Sequence, residues 1–217
     1  MTLHVYALTE RPATLPAITG IEASELETVE VGELDAIVSP VAGEEANEAA
    51  VLAHAGVVDG VFARNAAVLP VRFGTGFSDA ASLSAAIGGR VDKLQRALEL
   101  VRGNVEIGLR VGLGTHPETP RTGSGRDYLT GRLARVRAAE RAAGEIHGPL
   151  AGAAHADTVT VLPTPELLLS AAYLVARDEV DAFRKRIAEL DGRHPELTFV
   201  CTGPWPPYSF ATVDTGP

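Results

Sequence analysis

The chain reads as an α+β protein of two domains, and three observations lead there. From Asn104 onward, patterns of period two and period 3.6 alternate as strand, helix, strand, strand, helix, strand. Before Asn104, strand patterns come first and helical ones follow, the order of a separate α+β unit. At 217 residues and 46% hydrophobic content, the chain can fill two modest cores. The C-terminal pattern is the split βαββαβ arrangement, a ferredoxin-like antiparallel sheet with helices on one face, here including one long helix. The N-terminal part is then a smaller or modified α+β sandwich. The expected division is residues 1–103 and residues 104–217, the latter ending in an extended Pro/aromatic tail.

Leu3 to Leu8 forms the first predicted strand. Leu26 to Val41 gives two more around a turn at Gly32-Glu33, with Pro40 expected to end the pairing because it has no N–H to donate. Glu44 to about Asn65 is Ala-rich and acidic at its start, which suits a helix N-terminus. Val68 to Phe77 is a short extended segment that runs into a glycine turn. Ser78 or Asp79 caps the next helix, where Leu83, Ile87, Val91, Leu94, Leu98 and Val101 recur at helical spacing. The pair Gly88-Gly89 marks a kink in it, and Gly103 stands at its C-cap.

Val105, Ile107, Leu109 and Val111 alternate with polar or small residues, the mark of a half-buried strand. A Gly/Pro-rich loop follows, then a helix from about Arg126 to Ala154, roughly 43 Å long at 1.5 Å per residue. Its apolar seam is narrow: Leu129, Val136, Ala143 and Leu150, with Ala139, Ile146 and Ala153 three residues after three of them. Thr158 to Leu162 is a strand, and Pro163-Thr164-Pro165 is the turn after it. Leu167 to Val175 is apolar on both faces, as a central strand is. Asp178 caps a helix carrying Val180, Phe183, Ile187 and Leu190, which Gly192 ends. Leu197, Phe199 and Cys201 line one face of the last strand, so Cys201 is expected in the core.

Charge narrows the functional classes. The net charge is −9 and unevenly spread: between Arg11 and Arg64 there are ten acids and no Lys or Arg, while the remainder carries 18 acids against 19 bases. Such a stretch repels phosphate backbones, so a nucleic-acid partner is not expected. No apolar run approaches the roughly 18 residues of a membrane span. The N-terminus lacks the basic region and cleavage site of a signal peptide, and a single cysteine permits no internal disulfide, so a cytoplasmic location is expected.

No constellation for catalysis stands out. The six histidines, His4, His54, His116, His147, His155 and His194, show no metal-ligand spacing. Gly112-Leu113-Gly114 follows a strand, but Pro117 takes the place of the third glycine of a dinucleotide fingerprint. Ser124, between Gly123 and Gly125, reads as a helix N-cap. No catalytic, cofactor-binding or metal-binding residue is therefore expected, and the chain is not expected to be an enzyme. The arginines at 126, 132, 135, 137 and 141 form a polar helix face.

The binding candidates lie elsewhere. In Gly203-Pro204-Trp205-Pro206-Pro207-Tyr208-Ser209-Phe210, three prolines alternate with three aromatics, one of them the only tryptophan. Proline fixes φ, so this segment is expected as a stiff, polyproline-like ribbon. It is either a strap over a sheet edge or an aromatic anchor for a protein partner, and both can hold together. Trp205, Pro206, Pro207, Tyr208 and Phe210 are candidate contact residues on this ground, with Arg72 and Phe73 added from the Pro-Val-Arg-Phe segment.

Four motifs in order resemble the gas vesicle protein F/L family (GvpF/GvpL): Val68-Leu69-Pro70-Val71-Arg72-Phe73-Gly74-Thr75, Gly125-Arg126-Asp127-Tyr128-Leu129, Ala171-Ala172-Tyr173-Leu174-Val175 and the terminal segment itself. Ser170 and Ser209 depart from it, standing where the family carries Asn. The resemblance implies an accessory or minor structural role in gas vesicles. The partners it implies are the small hydrophobic shell protein and other accessory proteins, with no catalysis and no cofactor. It also implies two α+β domains, the second ferredoxin-like. Self-association is left open, and the competing reading is a small-molecule-binding regulatory module with a ferredoxin-like domain.

Overall fold

The computed structural model describes residues 1–43, 47–113, 125–161 and 167–211. It is a mixed α+β protein with two antiparallel sheets. Contacts divide it into two compact units, Met1–Asn104 together with the segment from Trp205, and Val105–Pro204. The terminal segment, attached to the second domain in the sequence reading, thus clusters with the first unit.

In the first unit, β1 (Thr2–Glu10), β2 (Glu27–Val31), β3 (Leu34–Val41), β4 (Val68–Pro70) and β5 (Gly76–Phe77) form one sheet in the order β2-β3-β1-β4, with β5 also on β1. β1 and β3 are central and buried on both faces. Pairing continues through Pro40, which lies opposite Leu3. β2 stops pairing at Val38, so the missing N–H of Pro40 interrupts no ladder on that side. The β1–β3 register shifts between Val5 and Ala7, which makes Tyr6 the extra residue of a bulge.

Helix α1 (Glu48–Phe62) starts later than expected, where the Asn47 side chain accepts the Ala50 N–H at 2.9 Å. Residues 44–46 of the expected helix lie outside the described residues. Ala50, His54, Val57, Val58 and Val61 form its buried face and pack with Tyr6, Ile37 and Val68. The anticipated kinked helix is two helices, α2 (Ala80–Gly88) and α3 (Val91–Val101), because Arg90, after the α2 cap at Gly89, leaves helical geometry. Asp79 begins α2 with a reciprocal capping box to Ser82. Gly103 follows α3 with φ of 71°, and its N–H bonds the Ala66 carbonyl at 2.9 Å.

In the second unit, β6 (Asn104–Leu113), β7 (Ala156–Val161), β8 (Leu169–Ala176) and β9 (Leu197–Trp205) take the order β7-β8-β6-β9. β6 extends through Gly112, which the sequence placed in the loop. Helix α4 (Gly125–Ala151) buries Ala143, Ile146 and Leu150, the C-terminal part of the seam. The side chains of Leu129, Val136 and Ala139, the arginines at 126, 132 and 135, the Ser124 cap and the 163–165 turn lie outside the described residues. A short 3-10 turn (Arg177–Glu179) takes in Asp178, and α5 (Val180–Arg193) follows it without a side-chain cap. Gly192 lies inside α5 and does not end it. Phe183 and Ile187 of α5 are buried, as is Tyr173 of β8.

Candidate functional site

The terminal segment is part strap and part display. Gly203 to Trp205 completes β9, so the ribbon is not polyproline-like throughout. Pro206 and Pro207 are buried. Behind them the chain turns, with the Tyr208 N–H donating to the Pro206 carbonyl at 2.8 Å and the Ala211 N–H to the Pro207 carbonyl at 3.0 Å. This anchored backbone leaves Trp205 50% and Tyr208 40% exposed, while Phe210 is half-buried. Burial, and after it the Asp59 carboxylate of α1, pushes the Tyr208 hydroxyl up to about 12. Asp59 is itself held above the usual carboxylate range by burial.

Arg72 and Phe73 sit in the chain between β4 and β5. That segment is tied down by the Val71 N–H to the Tyr6 carbonyl and the Val5 N–H to the Thr75 carbonyl, both 2.9 Å. Arg72 is exposed; Phe73 is half-buried. The Phe73 ring lies 5.7 Å from both His4 and His54.

The sequence reading missed what lies beneath Phe73. His4 and His54, fifty positions apart and both buried, meet with His4 Nε2 2.9 Å from His54 Nδ1. His54 Nε2 lies 3.0 Å from the Val71 carbonyl. A carbonyl only accepts, so His54 carries its proton on Nε2 and its Nδ1 accepts from His4 Nε2–H. Both tautomers are thereby fixed. Burial, then the neighbouring His54, lowers His4 to about 4. Burial also lowers His54, and the bond to Val71 opposes that in part. Tyr6 stacks on His54 at 5.3 Å. Its hydroxyl accepts the Ile21 N–H at 2.9 Å and bonds Ser39 Oγ at 2.7 Å. The signal was present in the sequence, since His54 holds a place in the buried periodicity of Ala50, Val57, Val58 and Val61.

The remaining candidates are more ordinary. Cys201 is exposed, against the expectation of a core residue, because β9 is an edge strand. Burial still raises its thiol somewhat. His147 of α4 bonds the Tyr173 hydroxyl at 3.0 Å and approaches Asp157 at 3.3 Å. A groove of about 320 Å³ in the second unit is lined by Ala153, His155, Glu179, Phe183 and Arg186, among others. Among the described residues, no group of three or more His, Cys, Asp or Glu could hold a metal ion. No described helix is long and apolar enough to cross a membrane.

The fold and surface define an α+β protein with two antiparallel sheets whose most prominent exposed aromatics are fixed on a buried proline pair. A family model described as "Gas vesicle synthesis protein GvpL/GvpF" matches residues 2–212, and the chain belongs to that family. It is 32% identical over 198 residues to gas vesicle protein F2 of Halobacterium salinarum, covering 89% of this chain and 83% of the relative. It is also 32% identical over 169 residues to gas vesicle protein L of a Streptomyces species, covering 67% and 62%. The crystal structure of GvpF from Anabaena sp. PCC7120 superposes with a TM-score of 0.79 at 15% identity, covering 98% of this chain and 97% of that one. GvpF from Microcystis aeruginosa gives the same TM-score at 17% identity, covering 98% and 99%. At these identities the structural likeness speaks to fold.

Proposed function

We propose that this protein is a non-enzymatic accessory or minor structural component of gas vesicle assembly. In this reading it binds the small hydrophobic shell protein and other accessory proteins, in the cytoplasm and in association with the vesicle. The family match over residues 2–212 carries the reading. The strand order β7-β8-β6-β9, with α4 and α5 between strands, supports reading residues 104 onward as ferredoxin-like. A shell subunit with an apolar face aggregates unless something shields or places it. Trp205 and Tyr208, held on buried prolines, lose little conformational freedom on contact, which favours anchoring. Arg72, Phe73 and Phe210 are secondary contacts in this proposal.

The test is Trp205→Ala with Tyr208→Ala, expressed in vesicle-forming cells, alongside Arg72→Ala. The expected result is a folded protein that loses co-purification with the shell protein, with fewer floating vesicles. Normal vesicles and undiminished co-purification would reduce the terminal segment to a strap. A wild-type protein that captures no vesicle component would end the broader reading. The alternative of a small-molecule module has the 320 Å³ groove in its favour. Thermal-shift screening separates the two, because a ligand at 100 times its Kd adds about 2.7 kcal/mol of stability.

A further inference from the structure

Sheet edges offer unpaired N–H and C=O groups to other chains, and proteins usually blunt them. Among the described residues, three of the four sheet edges are blunted. β2 carries exposed Glu27 and Glu30. The opposite edge consists of β4 and β5, three and two residues long, split by the Val71–Thr75 connection. β9 carries Gly203-Pro204 near its C-terminal end, and Arg184 donates to the Gly203 carbonyl at 2.5 Å.

β7 has none of these devices. Among the described residues it pairs only with β8, over an unbroken register from Ala156↔Leu174 to Val161↔Leu169. Its sequence, Ala-Asp-Thr-Val-Thr-Val, has no Pro, Gly, Lys or Arg. Val159 and Val161 are 39% and 41% exposed. Its one charge, Asp157, is turned toward His147 of the same chain.

We propose that β7 pairs with β7 of a second copy of this chain, antiparallel about a two-fold axis, joining two four-stranded sheets edge to edge. The segment is self-complementary in that arrangement. With Val159 opposite its own symmetry mate, Thr158 faces Thr160 and Asp157 faces Val161. β-Branched side chains then meet across the junction, and no two like charges oppose. Charge compatibility and the exposed valines favour a second copy over a charged peptide. Five paired residues per strand bury less than the roughly 800 Å² per partner of a standard interface, so the dimer is weak and concentration-dependent. This inference does not rest on the proposed function.

The decisive experiment is sedimentation of the full chain up to about 100 µM, where micromolar dimers are populated. Wild type is expected to shift reversibly to dimer. Val159→Lys places two ammonium groups face to face at the axis, and Val159→Glu two carboxylates; each variant alone is expected to be monomeric. An equimolar mixture of the two is expected to restore a heterodimer. A wild type that stays monomeric, a Val159→Lys protein that still dimerises, or a mixture that stays monomeric each overturns the proposal. Circular dichroism confirms that the variants fold. As a measurement free of mutation, hydrogen exchange on wild type should slow at β7 amides as concentration rises, and unchanged exchange refutes the pairing.

Discussion

The buried His4–His54 pair makes stability depend on pH with a sign and size that follow from its surroundings. Both rings are held below their ordinary pKa, so the unfolded chain takes up these protons before the folded one does. The contribution is complete above the unfolded value near 6.5 and is lost as pH falls from there toward the folded value. For His4, with its folded value about 4, the loss between pH 8 and pH 5 is about 2 kcal/mol. His54 shifts in the same direction and adds to it. Protonating His54 also breaks the chain of donors, because its Nδ1 can no longer accept from His4 once it carries a proton. Urea unfolding at several pH values, for wild type and for His4→Phe with His54→Leu, reads the effect directly. The double variant is expected to be less stable at pH 8 yet to lose less on going to pH 5. Stability curves that fall in parallel would refute the reasoning. So would a His4 ring that titrates near 6.5 by NMR in the folded protein.

Two further expectations concern folding. Adding a Cβ at Gly20 brings it 2.4 Å from the Tyr6 hydroxyl and 2.9 Å from Ser39 Oγ, whereas at Gly56 of α1 it meets nothing within 4 Å. Gly20→Ala should therefore destabilise by about 1–3 kcal/mol and Gly56→Ala stabilise by about 0.5–1 kcal/mol, read as opposite shifts in thermal midpoint. Asp79→Ala, which removes the capping box of α2, should lower the midpoint of chemical denaturation, and Asp79→Asn should lower it distinctly less.

How far the sequence could be read depended on how local the responsible interaction is. The strand at Val105–Val111, the buried strand around Ala171–Val175 and the Gly103 cap were legible because each rests on alternation or on one residue's backbone freedom. The break between α2 and α3 was visible as Gly88-Gly89 but was read as a kink, since propensity alone does not say whether two helical turns stay collinear. Pro40 was misread because a missing N–H matters only where a neighbouring strand needs it, and β2 has already stopped there. The placement of Cys201 failed for a related reason. Alternation predicts two faces, but not whether a strand lies at the edge of its sheet. The terminal aromatics were legible as candidate contact residues, whereas the burial of Pro206 and Pro207 beside the exposed Trp205 and Tyr208 was a tertiary fact.

The same distinction explains why the histidine pair escaped notice. Each histidine alone is an unremarkable polar residue in an apolar pattern, and its meaning appears only when β1 and α1 meet. Once they do, one backbone carbonyl, that of Val71, fixes the proton positions of both rings, because it can do nothing but accept. Val71 directly precedes Arg72 and Phe73, so the buried chain of donors ends on the segment that carries these candidate contact residues. The segment that carries the exposed Arg72 and the half-buried Phe73 is thus held both by its backbone bonds to β1 and by this buried network. Surface substitutions such as Arg72→Ala and core substitutions such as His54→Leu should accordingly separate: the first leaves the fold intact, the second loosens the segment that presents it.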